Sequence, residues 1–252
     1  MDKTIVSLGE LNAPISIHRF WRRGKNMIDW LAFWDTKASE STDFQATGRG
    51  LMDPTGFLYT VAEVVRLLDL KQGQTLADIG CGVGLIALSL APWLTRIHGV
   101  DISPALIVRA QGNLGGVDNV SLQVGNLTDL PLDDAYVDKL LAYSVLQYLG
   151  TEDAVSVAFQ EVARVLKKGG RGLLAANPDP TRRSIYETVL RNREDNKMSA
   201  EKELVLLDNL LWESQEKLIQ LAEESGLSAR IEPISPRIWQ HFYMFNVVVE
   251  KF

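Results

Sequence analysis

Ala77-Asp78-Ile79-Gly80-Cys81-Gly82-Val83-Gly84-Leu85 decides how this chain is read. The apolar residues up to Ile79 form a short buried strand that breaks into a glycine-rich turn. Three glycines at alternate positions remove three Cβ atoms where the chain turns sharply and lies close to a ligand. The helix that follows, Leu85 to Leu90, points its free N–H groups back at that turn. Seventeen residues after Gly84 comes Asp101, ending a second strand, Ile97-His98-Gly99-Val100-Asp101. A carboxylate there accepts hydrogen bonds from the hydroxyls of a ribose. Together the two segments place a nucleoside across the ends of two neighbouring strands.

Spacing and charge narrow the nucleoside. The dinucleotide fingerprint has glycines at places one, three and six. Here they occupy places one, three and five, and Leu85 takes the sixth. Asp78 lies two residues before the first glycine, which suits a cationic ligand better than a pyrophosphate. S-adenosylmethionine carries a sulfonium and an ammonium and no phosphate. Asp78-Ile79-Gly80-Cys81-Gly82-Val83-Gly84 resembles the glycine-rich motif of class I S-adenosylmethionine-dependent methyltransferases. Gly99-Val100-Asp101-Ile102-Ser103 resembles their second motif and Gly125-Asn126-Leu127-Thr128-Asp129-Leu130-Pro131 their third. Leu166-Lys167-Lys168-Gly169-Gly170 resembles the turn before their fifth strand. The likeness runs from about Gly73 to Asn177, with four motifs in order.

The resemblance implies S-adenosylmethionine as cofactor and a Rossmann-like α/β fold. Its seven-stranded sheet is mostly parallel, with an antiparallel final strand and helices on both faces. Asp101 is then expected to hold the ribose, and Gly80, Gly82 and Gly84 to let the backbone approach the methionine moiety. Asp78 is expected near the ammonium and Asn126 by the adenine, with Cys81, Ile102, Leu127 and Tyr143 completing the cofactor set. Many family members have Asp in place of Asn126. An Asn oxygen also accepts from the adenine amino group, and its amide donates to a ring nitrogen. Cys81 reads as a small residue in a tight turn rather than a reactive thiol.

At 252 residues the chain buries a full core as one domain, or one domain with an appendage. Hydrophobic content of 46% and charged content of 23% are ordinary for a soluble globular protein. No apolar run approaches the ~20 residues that span a bilayer. Met1-Asp2-Lys3-Thr4-Ile5 lacks a leader pattern, and one cysteine fits a reducing compartment, so a cytoplasmic chain is expected. A net charge of −6 argues against a nucleic-acid partner. His18-Arg19-Phe20-Trp21-Arg22-Arg23-Gly24-Lys25 is the densest basic run. It reads as a solvated arm, or more sharply as a contact for an anionic acceptor group. Arg182, Arg183, Arg191 and Arg193 form a looser set with the same two readings.

The first 50 residues read as an N-terminal arm or cap carrying Trp21, Trp30 and Trp34, with a short helix over Met27 to Phe33. Residues 51–252 read as the methyltransferase domain. Apolar residues at 58, 61, 64, 65, 67, 68 and 70 predict a helix from Leu58 to Leu70. Strands and helices then alternate, as in a parallel, doubly wound sheet. Strands are expected at Thr75–Ile79, Arg96–Asp101, Val120–Val124, Val137–Ala142 and Arg171–Ala176. Ser103, Thr151 and Ser214 are helix caps by type and position. Pro178 and Pro180 open a polar, helix-leaning, lid-like insertion over 178–212. Leu227–Ile234 and Tyr243–Glu250 read as the last two strands.

Methyl transfer from a sulfonium is an in-line displacement whose leaving group departs neutral. The enzyme aligns and desolvates the acceptor and, where needed, removes a proton. Tyr143-Ser144-Val145-Leu146-Gln147-Tyr148 follows strand four at the expected cleft, where Tyr148 is a candidate to orient an acceptor. Several family members have His where this chain has Gln147. His241 is the candidate base, because imidazole titrates near neutrality. His98 reads as core, and no metal site is expected. Asn177-Pro178-Asp179-Pro180 differs from the Asn-Pro-Pro-Tyr motif of nucleic-acid amino methyltransferases: it follows strand five and has no aromatic to stack a flipped base. The expected function is methyl transfer to an oxygen or nitrogen of a small-molecule acceptor, anionic or polar, with the oligomeric state left open. The arm and insertion are expected to form a mobile cover, with Arg182 and Arg183 facing the acceptor. The rival readings are a non-catalytic S-adenosylmethionine-binding protein and a nicotinamide-dependent oxidoreductase.

Overall fold

Five short segments of alternating apolar residues, each followed by a helix or turn signal, line up side by side in the structure, a computed structural model that describes residues 28–48, 54–192 and 203–252. The basic run 18–25, Trp21 and Arg193 lie outside the described residues. The strands are β1 (Thr75–Ile79), β2 (Arg96–Asp101), β3 (Val120–Val124), β4 (Val137–Tyr143), β5 (Leu166–Pro178), β6 (Leu227–Pro233) and β7 (Met244–Lys251). They form one sheet in the order β3-β2-β1-β4-β5-β7-β6. Six strands run the same way, and β7 runs against both of its neighbours. The expected Rossmann-like sheet is therefore observed, and its strand order reverses between β1 and β4.

The helices are α1 (Trp30–Lys37), α2 (Asp43–Ala46), α3 (Pro54–Leu68), α4 (Leu85–Leu90), α5 (Pro104–Asn113), α6 (Glu152–Val165), α7 (Arg183–Arg191) and α8 (Gln215–Glu224). Ser103, Thr151 and Ser214 cap α5, α6 and α8 as expected, accepting from the backbone N–H groups of Leu106, Ala154 and Lys217. Each bond satisfies one donor that the first helical turn leaves without a partner.

Strand alternation sends side chains to two cores. Leu141, Leu173 and Val248 join α3, α4 and α7 on one face, where Leu67, Leu90 and Leu190 are buried. Leu140, Leu174 and Val247 join α6 and α8 on the other, around Phe159, Val162, Leu218 and Leu221. Burying each such side chain stabilises the fold by about 1.5–3 kcal/mol.

Three boundaries differ from the sequence reading. The first helix covers Trp30–Lys37 rather than 27–33, because Asp29 caps it by accepting from the Ala32 N–H. The helix expected over Leu58 to Leu70, α3, begins at Pro54, a residue whose fixed φ suits a first helical position, and ends at Leu68. β5 starts at Leu166 rather than Arg171: Leu166 pairs with Val137, and the expected turn at Lys167–Gly170 is a bulge inside the strand.

Candidate functional site

The strand order reverses between β1 and β4, the place where open α/β sheets take their ligands at the strand ends, and the loops after these two strands meet there. The glycine turn forms one wall. Gly80 and Cys81 both donate their N–H to the Val100 carbonyl of β2, at 2.7 and 3.1 Å. That double bond bends the chain at once, and Gly80, Gly82 and Gly84 take φ of 69°, 56° and 79°. Side chains rarely adopt this left-handed region, so the backbone itself calls for glycine. A Cβ on Gly80 would meet Val145 Cγ2 at 2.5 Å, and one on Gly82 would meet Thr47 Cγ2 at 2.9 Å. The absent Cβ atoms therefore face protein packed over the turn, where the sequence reading expected open approach to a ligand.

Asp101 ends β2 beside this turn, 6% exposed. Its Oδ2 accepts from the Gly82 N–H at 2.8 Å and its Oδ1 from the Ser103 N–H at 2.9 Å. Burial pushes its carboxyl above the usual range, the two backbone donors oppose this, and the nearby Asp35 carboxylate adds to the rise. Each carboxylate oxygen keeps a second lone pair, so two hydroxyl donors are still accommodated. Asp78 is buried in β1 two residues before the turn. Cys81 is buried and not in a disulfide; burial, with Asp78 and Asp101 beside it, pushes its thiol well up. A thiol so disposed is not a reactive thiolate.

Asn126 lies after β3. Its Oδ1 accepts from the Thr128 N–H at 3.1 Å and closes a small turn, leaving the amide as donor. The side-chain oxygen expected to accept from an adenine is thus engaged in the loop. Leu127 is buried in the core beneath, as is Tyr143 at the end of β4, while Ile102 is half-buried beside Asp101. A clamp that the sequence reading missed holds this loop. Glu161 of α6 accepts from the Leu130 N–H and pairs with Arg164 through both oxygens, at 2.7 and 2.8 Å. Arg164 also donates to the Leu130 and Leu132 carbonyls and to Asp134. The visible signal was an acid and an arginine three apart on α6.

The opposite wall begins where β4 and β5 end. Ser144 and Ala176 both have positive φ, 61° and 56°, and the Ser144 N–H donates to the Ala175 carbonyl. Two non-glycine residues in this region on adjacent strands store strain, which surrounding contacts must hold. The Gln147 amide donates to Ser144 Oγ at 3.0 Å. Asn246 of β7 accepts from the Ala176 N–H at 3.0 Å and donates to Glu63 of α3, and Glu63 also accepts from the Ser235 N–H.

Tyr148 faces the arm. Its ring lies 4.7 Å from Trp30 and 5.4 Å from Trp34, both in edge-to-face geometry. His241 is exposed on a short 3-10 turn, with its Nδ1 2.9 Å from the Ile238 carbonyl. A carbonyl oxygen only accepts, so Nδ1 is the donor in that contact. Its ring packs on Phe242. The structure brings the glycines, Asp78 and Asp101 together; Tyr148 packs on the arm and His241 on Phe242, whose neighbour Tyr243 feels Tyr148 electrostatically.

The arginines expected to face an acceptor are engaged within the protein. Arg183 pairs with Glu187 and Asp208 and lies over the Trp212 ring. Arg182 donates to the Phe242 carbonyl and lies near Asp179. Two carboxylates around Arg183 cancel the charge that an anionic acceptor would seek. Among the described residues no group of three or more His, Cys, Asp or Glu is placed to hold a metal ion, and no helix is long and apolar enough to cross a membrane. His98 is buried beside Ser121, as expected of a core histidine.

Residues 77–174 match a family model described as a methyltransferase domain. Over 149 residues the chain is 32% identical to the O-methyltransferase resE of Aspergillus sclerotiorum, covering 58% of this chain and 52% of that protein. It is 34% identical over 148 residues to the release factor glutamine methyltransferase of Moorella thermoacetica, covering 56% and 52%. The chain thus spans about half the length of these curated relatives. Among solved structures, phosphoethanolamine N-methyltransferase 2 of Haemonchus contortus, in complex with S-adenosyl-L-methionine, superposes with a TM-score of 0.65. That likeness covers 90% of this chain and 61% of the other at 18% identity, and speaks for the fold.

Proposed function

We propose that this chain, whose residues 77–174 match a methyltransferase-domain model, is a class I S-adenosylmethionine-dependent methyltransferase that transfers the methyl group of S-adenosylmethionine to an oxygen or nitrogen of a small-molecule acceptor. The observation that carries the reading is Asp101: a buried carboxylate fixed by two backbone donors, with a lone pair left on each oxygen. Those lone pairs suit the two hydroxyls of a ribose. Asp78 supplies negative charge for the ammonium. Gly80, Gly82, Gly84, Cys81, Ile102 and Leu127 line the nucleoside and methionine path, with Tyr143 beneath the end of β4. The Asn126 amide donates to an adenine ring nitrogen.

When bound, the cofactor supplies a methyl on a sulfonium, which leaves as a neutral thioether. The chain's own part is alignment and exclusion of water, to which effective molarity contributes on the order of 7–11 kcal/mol. Tyr148 orients the acceptor beneath Trp30 and Trp34, and His241 Nε2 takes its proton. With Arg182 and Arg183 engaged, a polar neutral acceptor is favoured over an anionic one. The relatives act on different acceptors by name, so the acceptor assignment rests on the site. The single cysteine, buried and not in a disulfide, supports work in a reducing cytoplasm. The arm, residues 1–50, and the insertion at 178–212 complete the acceptor side of the 51–252 domain.

Calorimetry with S-adenosylhomocysteine and with NAD tests the cofactor, and radiolabelled methyl transfer across phenols, amines and carboxylates tests the acceptor. Binding of S-adenosylhomocysteine without NAD binding, followed by labelled product from a phenol or amine, is expected. Tight NAD binding without S-adenosylhomocysteine binding would overturn the reading.

A further inference from the structure

The arm does not hang free beside the domain. Thr47 brings its methyl against Gly82, the residue whose N–H holds Asp101. Trp34 packs with Ala46, Val83 and Leu106, joining the arm to the glycine turn and to α5. Trp30 and Trp34 then reach across to Tyr148 after β4. At the start of α5, Asp35 Oδ1 accepts from Ser103 Oγ at 2.5 Å and from the Ala105 N–H at 3.3 Å. Ser103 is also the residue whose backbone N–H holds Asp101. Residues 30–48 thus touch the glycine turn, the supports of the ribose acid and the loop opposite. Ile28 adds a bond from its N–H to Asn209 of the insertion.

The means of attachment sets this segment apart from the sheet and its helices. α1 has no buried residue and only eight residues, too few for a helix to persist unaided in water. Polar contacts therefore carry much of the hold. One side chain, Arg109 of α5, donates to Asp43 at 2.7 Å, to the Ala38 carbonyl at 2.9 Å and to the Glu40 carbonyl at 2.6 Å. A planar guanidinium satisfies three acceptors at once, and a lysine ammonium does not reproduce that fork. Regions attached by few buried apolar contacts and by solvent-accessible polar ones open with low free energy.

We propose that residues 30–48 form the outer wall of the cofactor site, latched by Arg109 and Asp35, and that the cofactor enters and leaves when this latch opens. The inference rests on the proposed function and adds Thr47, Asp35 and Arg109 to the residues that govern cofactor exchange. Arg109 acts at a distance from the cofactor, as a positioning residue. The nucleoside end lies under Thr47 and Asp35, and the methyl-bearing end under Trp30, Trp34 and Tyr148.

The test is stopped-flow binding of S-adenosylhomocysteine to the full chain and to Arg109→Gln, Arg109→Lys and Asp35→Asn, with hydrogen exchange of residues 30–48 alongside. In Arg109→Gln and Asp35→Asn the segment is expected to exchange faster, and dissociation to rise at least tenfold while association does not slow. Arg109→Lys is expected to behave like Arg109→Gln, since it keeps the charge but not the fork. Dissociation unchanged while exchange rises would show that the segment is no wall, and overturn the inference alone. Exchange and dissociation both unchanged in Arg109→Gln and Asp35→Asn would overturn the latch. Absence of S-adenosylhomocysteine binding by the unaltered chain would overturn the proposed function and this inference with it.

Discussion

Replacing Asp101 tests the cofactor site most directly. In Asp101→Ala the Gly82 and Ser103 N–H groups lose their acceptor, and a ribose loses both of its partners. Hydrogen bonds to a charged group contribute about 1.5–3 kcal/mol, so S-adenosylhomocysteine affinity should fall about 10- to 150-fold. Two orphaned buried donors destabilise the apo fold, but removing a desolvated carboxylate offsets part of this. A net loss of about 1–3 kcal/mol of stability follows. Titration calorimetry over a pH series, with thermal melts, separates these effects. The folded carboxyl lies above its usual 3.8, so the folded apo chain holds this proton more tightly than the unfolded chain does. This group therefore favours folding as pH falls and penalises it above the raised pKa. Cofactor binding has the opposite dependence, because the ribose needs the carboxylate. Affinity of the unaltered chain should weaken as pH falls through the raised pKa, and that step should be missing in Asp101→Ala. A dissociation constant within twofold of the unaltered chain, in a folded Asp101→Ala, would refute the reasoning.

Two further substitutions probe what holds the walls. Glu161→Ala removes the partner of Arg164 and orphans the Leu130 N–H, and should cost about 1–3 kcal/mol in denaturant unfolding at pH 7. The Arg164 hydrogen bond holds the Glu161 carboxyl below its usual 4.5, so its stabilisation is present above that pH and is lost as pH falls through the lowered value. The gap between variant and unaltered chain should close on acidification; a gap independent of pH would count against the pairing. Asn246→Ala leaves the Ala176 N–H and one Glu63 oxygen without their partner and should cost about 2–4 kcal/mol. An unchanged melting temperature there would show that the strained end of β5 needs no such support.

How far the sequence reaches is clearest at the helix starts. Ser103, Thr151 and Ser214 cap through bonds to residues three ahead, so local pattern was enough. Asp101 was equally legible as the acid that ends a strand after a glycine turn. Its supports were not, since Gly82 lies 19 residues back and is met only when β1 and β2 pair. Arg183 shows the division within one side chain. Glu187, four residues on, is a helical neighbour that sequence can see, while Asp208 is 25 residues away. Only the second partner completes the charge cancellation around the guanidinium. Asn126 was legible as a loop residue after β3, but its own short turn competes for the oxygen that a ligand would use. The docking of the arm was beyond reach: Arg109 and Asp43 are 66 residues apart, and neither lies in a motif.

The place of β7 bears on how the chain is made. It follows β6 in sequence yet sits between β5 and β6. During synthesis, β1 to β5 emerge and pair while the far edge of β5 stays open, presenting the backbone of Leu173, Leu174 and Ala175 among apolar side chains. β6 has no place on the sheet until residues 244–251 arrive and run in against both neighbours. A nascent chain halted before that point displays an open, apolar edge of the kind that recruits other strands. The sheet is thus closed only after the whole stretch between β5 and β7 has been made. Stalling between β5 and β7 should therefore be more damaging to solubility than stalling before β5 has emerged.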